Sequence, residues 1–183
     1  KFDWTNGNFP EFTQPDESYH GVVYTRDFGN AAYITKARVQ LMRDLGCYPS
    51  AQDAFLLNHG LETLALRMER HCQNADRVAH FLASCDKVVN YPTLDNSPYK
   101  ELAQKYLPKG CSGVIAFSIK GGRDAAVRFI DNVKLASLVV HVADVRTLVL
   151  HPASSTHRQL TDEQLVAAGI NPGLIRLSVG IEN

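Results

Sequence analysis

Several absences bound this sequence before any motif is read. No stretch approaches the roughly 18 consecutive apolar residues of a membrane helix, so no membrane partner is expected. No positively charged start leads into an apolar core, the pattern of a signal peptide. Net charge is also lacking, because 19 basic residues balance 19 acidic ones. That balance argues against an electrostatic grip on nucleic acid, and none is expected as a partner. The four cysteines, Cys47, Cys72, Cys85 and Cys111, include no C-x-x-C pair, and no Cys/His spacing suits zinc. Reduced structural thiols in a cytoplasmic protein are the expectation, with no metal site.

The first 30 residues hold the only tryptophan and several other aromatics, with proline and glycine between them. No helical or strand period survives there for more than a few residues, and only Gly21–Val22–Val23–Tyr24 resembles a short strand. Disordered segments are poor in aromatics. A loop that packs on something outside these residues is therefore expected.

Helical patterns follow. Residues 30–46 read as one helix, with Gly46 as its C′ residue and Pro49 blocking continuation. Residues 51–84 read as one long helix or two in series, with Gly60 marking a possible break. Leu57, Leu61, Leu64 and Met68 recur at helical spacing and are expected in the core. The stripe resumes at Ala75, Val78, Ala79 and Leu82.

From residue 86 the rhythm changes to short strands and helices. Strands are expected at 87–91, 113–119, 138–140, 147–150 and 174–179. Ser97–Pro98 suggests an N-cap and N1 proline for a helix to Tyr106. Gly121–Gly122 opens a helix carrying Ala126, Phe129, Ile130 and Val133, and Thr161 with Gln164 forms a capping box for a helix ended by Gly169. The order β-α-β-α-β-β-α-β predicts an α/β domain, a small sheet with its helices on one face. Nothing after 179 covers the last strand, so a piece of a larger polypeptide is expected.

That last strand carries Arg176 inside the run Leu174–Ile175–Arg176–Leu177–Ser178–Val179. Arginine is rarely buried without a partner. A guanidinium there awaits a carboxylate or phosphate, which it can grip with two parallel hydrogen bonds. An internal ion pair or an edge-strand position are the alternatives. His151 and His157 are spaced for loop and capping roles, and Asp16 with His20 lacks a nucleophile.

Four segments together resemble a known family: Phe28–Arg38 (FGNAAYITKAR), Gly60–Leu64 running to Arg70–His71, His151–His157 (HPASSTH), and Ile175–Glu182 (IRLSVGIE). They are similar to the carboxy-terminal part of the Cys/Met-metabolism pyridoxal-phosphate enzymes. The opening Phe2–Asp3–Trp4 and the run from Pro15–Asp16 through Ser18–Tyr19–His20–Gly21 resemble the O-acetylhomoserine sulfhydrylase branch. The resemblance implies a fold-type I enzyme with an amino-terminal arm, a large cofactor domain and a small carboxy-terminal domain. Residues 1–35 would be the tail of the large domain. Residues 36–183 would be a connecting helix and the substrate-binding domain, with a small, mostly antiparallel sheet. Pyridoxal 5′-phosphate is the implied cofactor, held by a lysine in an S-x-T-K-type motif. None of Lys1, Lys36, Lys87, Lys100, Lys105, Lys109, Lys120 and Lys134 matches it, although Lys36 follows Thr35. No catalytic or cofactor-binding residue is therefore assigned here.

The resemblance makes Arg176 the partner of the substrate α-carboxylate. A second contact would come from His141–Val142–Ala143–Asp144. His141 stands where Ser or Asn is usual, so a backbone contact at Val142 is the alternative to a side-chain contact at His141. The implied reaction is γ-replacement, O-acetylhomoserine with sulfide or a thiol giving homocysteine or methionine. Methionine γ-lyase-type γ-elimination and a non-catalytic fragment are the alternatives. The implied partners are an amino-acid substrate and further copies in a homotetramer, whose subunit boundary the aromatic loop would line.

Overall fold

A computed structural model describes residues 2–85, 87–142 and 144–182. They form two compact units, residues 1–59 and 60–183.

In the first unit, short helices α1 (Pro10–Thr13) and α2 (Tyr24–Phe28) precede a helical run of α3 (Ala32–Lys36), a π turn (Ala37–Met42) and α4 (Arg43–Leu45). Gly46 ends that run in the left-handed conformation, φ +65°, with its N–H on the Met42 carbonyl. That is the stop expected of a C′ glycine. The aromatic segment is ordered upon itself. Phe12, Tyr24 and Ala32 are buried together, with Trp4, Phe9, Tyr19 and Val39 against them. Residues 21–24 are not a strand. A single bridge joins Asp16 to Val22, His20 and Gly21 turn the chain at positive φ, and Asp27 takes the Val23 N–H as α2 begins.

The sequence reading divides the chain at residue 35, whereas the compact units divide at 59, inside helix α5 (Ala51–Glu62). The contacts of α3 and the π turn explain this. Lys36 pairs with Asp16 at 2.5 Å over the Tyr24 ring, and the Tyr24 hydroxyl donates to Gln40. These bonds keep residues 32–45 with the aromatic segment.

Within the second unit the helices break at Thr63, close to the break expected at Gly60. Helix α6 (Leu64–Ser84) then leads to β1 (Val88–Asn90), α7 (Lys100–Tyr106), β2 (Val114–Ser118), α8 (Gly122–Asn132), β3 (Ser137–Leu138), β4 (Leu148–Leu150), α9 (Asp162–Ala167) and β5 (Leu174–Ser178). The element order is the one the sequence patterns predict. The sheet order is β1-β2-β5-β4-β3, antiparallel except for the β3–β4 pair.

Register separates the two faces of the sheet. Ile115 lies opposite Leu177, Phe117 opposite Ile175, and Val149 opposite Leu177. With Val179 they pack under Ala75 and Ala79 of α6 and Ala126 and Ile130 of α8. Two helices therefore cover one face, as expected of this fold class. On the other face lie Ala116, Arg176 and Leu150, in register across β2, β5 and β4.

Four local expectations need correction. Strand β5 is central rather than uncovered, because β2 and β4 flank it; this also removes the edge-strand alternative for Arg176. Helix α7 begins at Lys100, since Ser97–Pro98 form a turn in which Ser97 Oγ accepts the Tyr99 N–H. The strand expected at 138–140 pairs only at Ser137–Leu138, because the Val140 carbonyl turns to Arg176. Finally, Leu57, Leu61, Leu64 and Met68 are not in the core. Their side chains are exposed, Leu61 at 61%, since no described element of this chain packs over them.

Thr161 and Gln164 form the expected capping box of α9. Gly169 (φ +77°) closes it, with the Ile170 N–H on the Leu165 carbonyl and the Gly169 N–H on Val166. This is the Schellman pair of bonds.

Candidate functional site

Arg176 occupies the middle of the central strand. Its cross-strand neighbours, Ala116 and Leu150, offer no charge. The guanidinium donates from Nη2 to the Val140 carbonyl and, at 3.4 Å, to the His141 carbonyl. Among the described residues it forms no ion pair and no bond through Nε or Nη1. No buried side-chain nitrogen or oxygen lacks a partner among those residues, so these two nitrogens reach solvent. The internal ion pair, one alternative for this residue, is not formed among the described residues. What remains is a cation anchored on one nitrogen and open on the others, which suits a planar anion.

The three residues singled out from the sequence lie close together, in unequal roles. The backbone of His141 meets Arg176 directly. Its side chain turns away, with Nε2 3.1 Å from Asp144 Oδ2. Val142 is exposed.

Sequence reasoning missed how this loop is held. The Asp144 carboxylate accepts from the Arg146 backbone N–H at 2.9 Å, from Arg146 Nε at 3.1 Å and Nη2 at 3.0 Å, and faces His141. The Arg146 guanidinium, then its N–H, then His141 hold the Asp144 carboxyl well below the usual carboxylate range. The exposure of its partners Arg146 and His141 makes this a local ordering device rather than a large source of stability. The signal in the sequence was the Asp-x-Arg spacing, which lets one carboxylate close a turn on the N–H two residues ahead.

A second set of bonds ties this loop to the end of β5. Glu182 accepts the Thr147 N–H at 2.5 Å and its hydroxyl at 2.9 Å. Gly180 N–H donates to Thr147 Oγ1, Ile181 N–H to the Val145 carbonyl, and Asn74 of α6 to the carbonyls of Gly180 and Glu182. Burial pushes the Glu182 carboxyl up, but the Thr147 donors outweigh it and hold it below its ordinary value. The run Leu177–Glu182 is thus a latch as well as a strand end.

The segment His151–His157 turns the chain after β4. His151 is fully buried, with Nε2 2.7 Å from the Pro172 carbonyl and Nδ1 2.8 Å from Ser154 Oγ. A carbonyl only accepts, so Nε2 carries a proton. One ring nitrogen is held by the loop itself and the other by the Pro172 carbonyl ahead of β5, the structural role expected of this histidine.

The residues present do not fit a covalent pyridoxal-phosphate site. Lys36, the lysine that follows a threonine, is bound to Asp16 and packed on the Tyr24 ring. A lysine so engaged is not free to form an imine. Among the described residues no helix is long and apolar enough to cross a membrane.

Comparison with known proteins identifies the family. Residues 17–183 match the family model described as Cys/Met metabolism PLP-dependent enzyme. The chain is 47% identical to the O-acetyl-L-homoserine sulfhydrylase of Leptospira meyeri and 47% identical to the homocysteine synthase of Schizosaccharomyces pombe, with 100% of this chain aligned in each case. It spans 44% of the length of each of these curated relatives. Its structure is similar to a putative O-acetylhomoserine (thiol)-lyase of Campylobacter jejuni that carries a pyridoxyl-lysine-monophosphate. The TM-score is 0.82 at 43% identity, covering 95% of this chain and 42% of the other. It is also similar to the O-acetylhomoserine sulfhydrylase of Wolinella succinogenes, with a TM-score of 0.70 at 34% identity, covering 87% and 43%. The central-strand arginine, the His151 turn and the latch therefore sit in a chain that belongs to the Cys/Met-metabolism family of PLP-dependent enzymes.

Proposed function

We propose that these residues form the carboxylate-binding end of a PLP-dependent enzyme of sulfur amino-acid metabolism, one that replaces the γ-substituent of O-acetylhomoserine with sulfide or a thiol. The observation that carries this is Arg176. Its Nη2 is fixed on the carbonyls of Val140 and His141, and Nε and Nη1 remain open. A substrate α-carboxylate completes the guanidinium with charge-assisted bonds. Holding the carboxylate at that point fixes the orientation of the rest of the amino acid, and orientation is a large share of what an active site supplies. Val142, exposed beside the clamp, supplies a second contact through its backbone. The His141 ring is committed to Asp144, which favours the backbone alternative over the side-chain one.

In this reading residues 1–35 belong to a larger cofactor-bearing domain. Residues 36–183 provide the connecting helices and the small substrate-binding domain. The lysine that holds the cofactor comes from elsewhere in the polypeptide, and Lys36, bound to Asp16, is not that lysine. The enzyme works as a cytoplasmic homotetramer, and the exposed Leu61, Leu64 and Met68 of the second unit fit a face that other parts of the assembly cover.

The test is Arg176→Ala in the complete enzyme. The KM for the amino-acid substrate should rise on the order of 100-fold, with Arg176→Lys intermediate because a point charge cannot grip two oxygens in a plane. An unchanged KM for the amino acid in Arg176→Ala would end the clamp assignment.

A further inference from the structure

The Arg176 clamp depends on two backbone carbonyls, and what holds those carbonyls in place is a separate question. Val140 lies just past β3, where pairing has already ended, and its side chain and those of Val142 and Val145 are exposed. No regular ladder fixes this stretch. Its described fastenings are few. At the far end Ile181 N–H binds the Val145 carbonyl and Glu182 binds Thr147. Between that end and Arg176 stands one carboxylate, Asp144, bonded to Arg146 through three nitrogens and to the ring of His141. His141 is itself one of the two residues whose carbonyls receive Arg176. The chain of contacts runs from Arg146 through Asp144 to His141, and from the His141 and Val140 carbonyls to the guanidinium.

We infer that Asp144 is a positioning residue for the substrate carboxylate: by joining His141 to Arg146 it sets the two carbonyls that aim the Arg176 guanidinium. This rests on the reading of Arg176 as the carboxylate clamp, and extends it to a residue that touches neither substrate nor guanidinium. Asp144 acts on orientation. With its carboxylate gone, Arg176 keeps its charge but loses the fixed direction of its free nitrogens. An arginine that wags loses the two-bond match to a planar anion and keeps only a point attraction.

The experiment uses the complete enzyme and two unreactive analogues of the amino-acid substrate, one with the α-carboxylate intact and one with it reduced to an alcohol. Inhibition constants for both are measured for the wild type, Asp144→Ala, Asp144→Asn, Arg176→Ala and the double alanine variant, with thermal melting as the check on folding. Asp144→Ala should weaken the carboxylate analogue about tenfold and leave the alcohol analogue nearly unchanged. Asp144→Asn should fall between, since its amide oxygen still accepts from Arg146. In the Arg176→Ala background, Asp144→Ala should add nothing, as expected of two residues acting through one contact. If Asp144→Ala leaves the carboxylate analogue untouched while Arg176→Ala weakens it, the positioning role is overturned and the clamp stands. Equal weakening of both analogues, or full additivity in the double variant, also overturns it. If Arg176→Ala affects neither analogue, the clamp itself is wrong and this inference goes with it.

Discussion

Helix α6 carries the same apolar rhythm from end to end, yet its two halves lie in different surroundings. In the second half Ala75 and Ala79 are fully buried on the sheet against Tyr91, Ile115 and Val179. In the first half Leu66 is 71% exposed, and Leu64 and Met68 are also open. The residues of the bare half are the larger and more apolar ones. A helical stripe therefore reports which face a chain is built to bury, and says nothing of what buries it. The covered half also explains its small residues. A helix seated closely on a sheet has room for alanine where a leucine would push the layers apart.

The strongest way to break this comparison is to charge the covered half. Ala79→Asp places a carboxylate where the side chain has no exposure and lies in an apolar cluster. Burial of an unpaired charge is among the few single changes that cost more than about 4 kcal/mol. The second unit should lose its cooperative unfolding in urea, followed by circular dichroism. A loss below about 1 kcal/mol would show that this half of α6 leaves the sheet in solution.

A smaller effect is expected where the covered half meets the latch. A Cβ added at Gly180 would stand 2.1 Å from Glu182 Oε2, 2.5 Å from the Val145 carbonyl and 2.6 Å from the Arg146 carbonyl carbon. Two of those atoms are backbone and cannot swing aside. Gly180→Ala should therefore open the Thr147–Glu182 bonds, at a cost of about 1–3 kcal/mol. The midpoint of urea unfolding measures it, and an unchanged midpoint would mean that the tail is not seated on residues 145–147.

Much of this was legible in the sequence, and the remainder divides by physical cause. The succession of strands and helices in the second unit followed from local period, caps and glycines, which act within a few residues. The capping box at Thr161 and the stop at Gly46 appeared where their chemistry placed them. Arg176 announced itself as a charge in an apolar run. What could not be read were contacts between distant segments. The Val140 carbonyl leaves the sheet because an arginine 36 residues away takes it, and that choice cut β3 short. The place of β5 in the middle of the sheet is likewise a matter of pairing, invisible to periodicity. The expected strand at 21–24 is absent for a local reason. Gly21 and the residue before it turn at positive φ, and a strand cannot pass through such a pair.

The smallest expected effect gives the sharpest form of the comparison. Leu64→Gln and Leu66→Gln remove two large apolar side chains from the bare half of α6. Glutamine and leucine have similar helix propensities, so the backbone is not the variable. If the stripe is bare in this chain as described, each change should move stability by no more than about 0.5 kcal/mol, as surface substitutions do, and solubility should improve. The same residues deleted from a covered stripe would cost about 2–5 kcal/mol. Urea unfolding at two protein concentrations separates the cases. A small, concentration-independent change keeps the two halves of α6 distinct. A loss of several kcal/mol that grows with concentration would mean that copies of this chain already cover the stripe in solution, and that the contrast between the halves belongs to the isolated chain alone.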